Sequence, residues 1–221
     1  MMDVPKHPQT KLYPSEVVTL ALLLALKGVG PRPFYRWRVR DYHPLFPKLP
    51  HRTRLFRLHP QGTRTHADWR EACLAEPTVL GMADSYGIEV HHPWREDSAD
   101  QHIGGTTLSN HRWIIGAKLV YIVHQWGFVV GWNYASGEVP VNACHVIIRE
   151  FQDEMVICTD TGFHAQAGDP PNMKPCKRGM WNGRMGVETG LSLLTTVLGL
   201  KKLSHHTWRH VRARLAFTMA D

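Results

Sequence analysis

Three carboxylates stand where phosphodiester chemistry could be built. Asp84 closes the apolar run Val79-Leu80-Gly81-Met82-Ala83, and Asp160 closes Met155-Val156-Ile157-Cys158-Thr159. Glu188 falls inside a stretch from Trp181 to Leu198 that reads as helix. Carboxylates at the ends of central strands can converge outside an open α/β sheet. Magnesium takes oxygen ligands, typically a few carboxylates with water or substrate phosphate. Two such ions can activate an attacking oxygen and stabilise a leaving one in an in-line displacement. Two Asp and one Glu are the minimal set for that work. Trp181, Arg184 and Glu188, at i, i+3 and i+7, share one helix face. A plainer reading is also open: Asp84 and Asp160 end strands in turns, and Glu188 pairs with Arg184 one turn earlier.

The elements that must position these groups follow from composition and pattern. The chain has 221 residues, 43% apolar and 20% charged. That is enough for a packed core without disulfides or a structural metal, and a poor fit to disorder, collagen or coiled coil. The most apolar run, Val17 to Leu26, is about half the roughly 20 residues a membrane helix needs. It also lacks the flanks of a signal peptide, so no membrane role and a cytoplasmic location are expected. Four cysteines with no C-x-x-C pair argue for reduced thiols.

Net charge is +7, and one segment holds the imbalance. Between Arg32 and Arg70 stand nine Arg and one Lys against Asp41 and Asp68 alone. Such a concentration suits a polyanion-binding face or a simply solvated basic surface. Within it Arg36, Arg38, Arg40, Arg52, Arg54 and Arg57 alternate with aromatic and proline residues, in the manner of a short-helix module. Phe34, Tyr35 and Trp37 could stack bases or pack that module.

Local signals complete the outline. Ser15 can cap a helix running to Lys27, Gly28 can end it, and Gly30-Pro31 prevents continuation. Arg112–Gln125 and Phe128–Tyr134 read as a hairpin about Trp126-Gly127. Residues 142–152 can be helical, with Val146, Ile147 and Phe151 as the apolar stripe, Cys144 in the core and His145 on the surface. Residues 96–110 and 168–179 read as loops, and 204–219 as a last helix. The expected organisation is a helical basic module over residues 1–76 and a mixed α/β sheet flanked by helices over 77–221. Fifteen histidines form no H-E-x-x-H arrangement, and Ser85 lacks a G-x-S-x-G context.

Taken together, Met82-Ala83-Asp84-Ser85, Ile157-Cys158-Thr159-Asp160-Thr161-Gly162-Phe163 and the Arg184-x3-Glu188 spacing resemble bacterial insertion-sequence transposases of the DDE type. The likeness runs from about Ser15 to Met219. Trp181 stands where that family has Tyr, and Thr195 where it has Lys, with Lys201 and Lys202 nearby. The resemblance implies an RNase H-like core in which Asp84, Asp160 and Glu188 hold two Mg²⁺ ions, or Mn²⁺. Water would attack the phosphodiester at the transposon end, and the freed 3′-hydroxyl would then attack target DNA. Arg184 would contact phosphate or orient Glu188. The six arginines above, with Trp181, would grip double-stranded DNA at the element's ends. A homodimer on DNA and association with the nucleoid are implied as well. The alternatives are an inactive or truncated remnant that only binds DNA, and a stand-alone RNase H-like nuclease.

Overall fold

The structure, a computed structural model, describes residues 10–58, 74–91, 105–109, 112–176, 184–201, 203 and 207–220. The chain divides into two compact units, residues 1–73 with 197–199 and 208–221, and residues 74–196 with 200–207.

The first unit is helical. Helix α1 (Pro14–Lys27) starts with proline at its first position, and the Glu16 carboxylate accepts the Tyr13 N–H at 2.6 Å. The cap is therefore Tyr13, not Ser15, whose carbonyl instead accepts the Thr19 hydroxyl. Gly28, at φ +62°, closes the helix in the left-handed conformation that glycine alone adopts without cost. Helix α2 (Pro31–Asp41) restarts at a proline and runs 114° away from α1. Helix α3 (Arg52–Leu58) completes a small core of Leu12, Leu20, Phe34, Phe46 and Leu55. Phe34 is fully buried, and Tyr35 and Trp37 pack against the same cluster, so these aromatics serve packing.

The last helix, which for sequence reasons was expected with the sheet, belongs to this unit instead. It runs Trp208–Met219 in the order α1, α2, α3, α4, α5, α6, with α4 and α5 in the second unit. Ala213 and Phe217 of α6 pack on Val18, Ala21 and Ala25 of α1. Arg214 donates to Leu24 O at 2.9 Å and to Ala25 O at 3.2 Å, the latter also accepting the Gly28 N–H at the end of α1. A third bond goes to Leu198 O at 2.7 Å.

The second unit is a mixed α/β sheet flanked by helices. Strand β1 (Leu80–His91) pairs antiparallel with β3 (Arg112–His124). The far edge of β3 takes β2 (Gly105–Ser109) at one end and β4 (Val129–Ser136) at the other. On its other side β1 pairs parallel with β5 (Val156–Thr159), and β5 with β6 (Met173–Pro175). The β3–β4 hairpin matches the sequence reading, with Gly127 at φ +85° in its turn. Residues 105–109 and 173–175, read as loop, are short strands.

One face of this sheet packs on Val141–Cys144, a 3-10 turn, and α4 (His145–Arg149). Ala83, Val120, Ile122, Val130 and Ile157 meet Ile147, Ile148 and Phe163 there. The helix is shorter than expected and rotated, so that Val146 is exposed and His145 buried. Helix α5 (Arg184–Ser192) packs against β1 and runs on into a π-helical turn, Leu193–Val197. No single helix among the described residues is long and apolar enough to cross a membrane.

Candidate active site

Side chains alternate between faces along a strand. Ala83 and Ile157 point into the core under α4, which sends Met82, Asp84, Cys158 and the following Asp160 to the other face. In the β1–β5 ladder Leu80 is opposite Val156 and Met82 opposite Cys158. Each aspartate follows its member of that last register pair by two residues, Asp84 within β1 and Asp160 just past the end of β5. The long-range pairing of β1 with β5 thus sets side by side the strands that lead to two of the three expected carboxylates.

Asp84 differs from expectation in one respect: β1 continues to His91, so it lies inside the strand rather than at its end. The polar Ser85-Tyr86 that follows does not stop the strand because Tyr86 to Ile88 pair with Leu119 to Ala117. Asp84 is half-buried, accepts the Ser85 N–H at 2.7 Å and lies opposite Tyr121. Tyr121 is fully buried; burial and, secondarily, the Asp84 charge push its phenol well above the usual value, so it stays a neutral O–H.

Asp160 is exposed directly beyond β5, where its Oδ1 accepts the Gly162 N–H at 3.0 Å. The turn it opens, Thr161–Phe163, is pinned from below. Phe163 is fully buried, and its carbonyl lies 2.6 Å from His145 Nε2. A carbonyl can only accept, so Nε2 carries the hydrogen and donates. Beyond the turn, Asp169 accepts from Ala165 N–H at 2.9 Å and pairs with His164 Nδ1 at 2.7 Å. The sequence reading placed His145 on the surface; it is buried, beside Cys144 in the same apolar run.

Glu188 lies on α5, exposed, and opens with Thr189, Ser192 and Leu193 onto a surface hollow of about 330 Å³. Neither Asp84 nor Asp160 lines that hollow. Among the described residues, no three His, Cys, Asp or Glu side chains group closely enough to hold a metal ion. The aspartates thus lie within and just past neighbouring strands, while Glu188 lies on a helix that packs against β1. Arg184 opens α5 at i−4 from Glu188. Trp181 lies outside the described residues.

The basic module sorts its arginines by helix face. Arg32, Arg36 and Arg40, four residues apart on α2, are exposed, and so are Arg54 and Arg57 of α3, with Arg52 half-buried. Arg40 is bidentate to its neighbour Asp41, at 2.5 and 2.9 Å. Arg38 corrects the sequence expectation. It shares the buried face with Phe34, is 0% exposed, lies 4.0 Å over the Phe46 ring and donates to Tyr42 O. Its guanidinium packs the module and presents nothing to an external phosphate.

No known family model matches this chain, and no curated protein matches it significantly.

Proposed function

We propose that the second unit is an RNase H-like core and the chain a DNA transposase of the DDE type, cutting and joining DNA at insertion-sequence ends. The observation that carries this reading is the parallel β1–β5 pairing, whose last register pair, Met82 and Cys158, precedes Asp84 and Asp160 by two residues each. The sheet supports it: β3 runs antiparallel to β1 and β4, while β5 and β6 run parallel to β1, a mixed sheet of the kind the resemblance implies. So does the sequence of the acids, one in β1, one just past β5, and one on the helix that follows β6.

Two carboxylates suit Mg²⁺, which is commonly held by one or two acidic side chains plus substrate phosphates. Asp84 and Asp160 would hold it, and Glu188 on α5 would join them with DNA bound. The ion, when bound, supplies a polarised phosphodiester and an activated oxygen nucleophile. Tyr121, kept neutral beneath Asp84, leaves the carboxylate negative charge uncontested by a second anion. The His145–Phe163 bond and the Gly162 N–H hold Asp160 to its turn. Exposed Arg36, Arg40, Arg52, Arg54 and Arg57 would supply phosphate contacts, and pairing of two ends would bring two copies together on DNA.

A second reading, a chain that binds DNA without cutting it, is favoured by the position of Glu188 over a separate hollow. Incubating the full chain with Mg²⁺ and DNA carrying the inverted repeats that flank its gene separates the two. Nicks at the repeat ends, with joining to a target, support the transposase. Salt-sensitive binding without a nick supports the second reading, and cutting indifferent to the ends indicates a nuclease.

A further inference from the structure

Two of the four cysteines meet on the sheet face that carries Asp160. Cys158 is in β5, buried, with Lys174 of β6 as its register partner. Cys176 follows β6 by one residue and is half-exposed. Met173 shares the core face with Ile157, so alternation turns Lys174 and then Cys176 to the face of Cys158. The Cys176 N–H donates to Thr159 O at 2.8 Å, which fastens its backbone beside the end of β5. Its thiol turns back along the strand to Lys174 O at 3.5 Å, and burial, then the neighbouring Cys176 thiol, push the Cys158 thiol up to about 11. Cys144 lies in the core on the opposite face, under α4.

We propose that Cys158 and Cys176 are a redox modification site, closing an intramolecular disulfide in response to a peroxide. Hydrogen peroxide oxidises the accessible Cys176 sulfur to a sulfenic acid, releasing one water; the Cys158 sulfur then displaces the hydroxyl as a second water. Two thiols lose two electrons and two protons, the peroxide is reduced to two waters, and one S–S bond of about 2.05 Å forms. Cys176 makes the required approach, because it lies past the last residue of β6 while Cys158 is held on both sides by strands. A dithiol reductant reverses the step by exchange. The crosslink ties β5, two residues before Asp160, to the chain leading on to α5. The proposal rests on the thiol geometry and not on the catalytic reading.

The test uses the full chain, reduced, treated with one equivalent of hydrogen peroxide, blocked with N-ethylmaleimide under denaturing conditions and digested for mass spectrometry. The expected result is a linked peptide pair containing Cys158 and Cys176, and a fall from four alkylatable thiols to two, restored by dithiothreitol. In Cys176→Ser, a change at a half-exposed position that leaves the core intact, all three remaining thiols stay alkylatable. Oxidation of Cys176 to sulfinic acid with Cys158 still alkylatable would overturn the proposal. Linkage of either residue to Cys73 or Cys144 instead would do the same.

Discussion

Asp84 and Asp160 stand two residues beyond a register pair, Met82 and Cys158, on neighbouring parallel strands. A slip of one residue between β1 and β5 would turn one carboxylate toward the core. Gly81 guards that register: a Cβ there would come within 2.3 Å of Met155 Sδ and 3.3 Å of Val123 O. If the pair holds the metal, Asp84→Asn and Asp160→Asn each lower strand cleavage by about 100-fold or more, beyond the 10–100-fold typical of groups that only support a ligand. DNA affinity, measured by gel shift, stays within about twofold. Near wild-type cleavage in either variant removes that aspartate from the site.

The buried and exposed arginines of α2 separate by experiment. Arg36→Ala weakens DNA binding and lowers the slope of log affinity against log salt by about 1, with stability unchanged within about 0.5 kcal/mol. Arg38→Ala lowers stability through lost packing on Phe46 instead. Arg38→Met restores much of it, since the Arg38 Nε and one terminal nitrogen have no hydrogen-bond partner to lose. Urea midpoints and salt titrations measure the two effects. Equal losses of affinity in Arg36→Ala and Arg38→Met would contradict the face assignment.

Arg214 ties the last helix to α1. Arg214→Ala loses charge-assisted bonds to Leu24, Ala25 and Leu198 carbonyls and should destabilise the first unit by about 2–3 kcal/mol. Arg214→Lys recovers only part, because an ammonium cannot reproduce the planar fork. The midpoint of urea unfolding followed by far-UV circular dichroism reports it. A wild-type midpoint in Arg214→Ala would show that the apolar contacts alone dock α6.

Acid should weaken the turn beyond Asp160. The His164 hydrogen bond, then the Ala165 N–H, hold the Asp169 carboxyl below its ordinary value. A carboxylate depressed on folding contributes its stability above its unfolded pKa, near 4, and loses it as the pH falls through the lower folded value. Asp169→Asn is therefore less stable than wild type at pH 6, by a small amount because the pair is exposed, and equal to it near pH 2. Urea midpoints across that range check the sign. A difference that persists at pH 2 would assign the effect to packing.

Much of this was legible before any coordinates. The β3–β4 hairpin follows from β-branched runs about Trp126-Gly127, and α1 from its proline start and glycine stop. What pattern could not reach depended on distant contacts. The parallel pairing of β1 with β5 joins residues far apart in sequence, and Arg214 reaches Leu24 across 190 positions. Arg38 misled because arginine is mostly exposed; its place four residues after Phe34, on the apolar face of α2, was the available clue. Asp84 reads as a strand end because the apolar run Val79–Ala83 stops there, whereas ladder pairing on β3 carries the strand on.

In the proposed site one divalent ion sits against Asp84 and Asp160 together. Replacing Mg²⁺ by Fe²⁺ on the DNA-bound chain and adding ascorbate generates radicals that cut the backbone where the ion resides. Cuts are expected beside residues 84 and 160 at comparable yield, both suppressed by excess Mg²⁺ and both lost in Asp84→Asn. Cuts at only one of the two positions, or cuts that Mg²⁺ does not suppress, would contradict it.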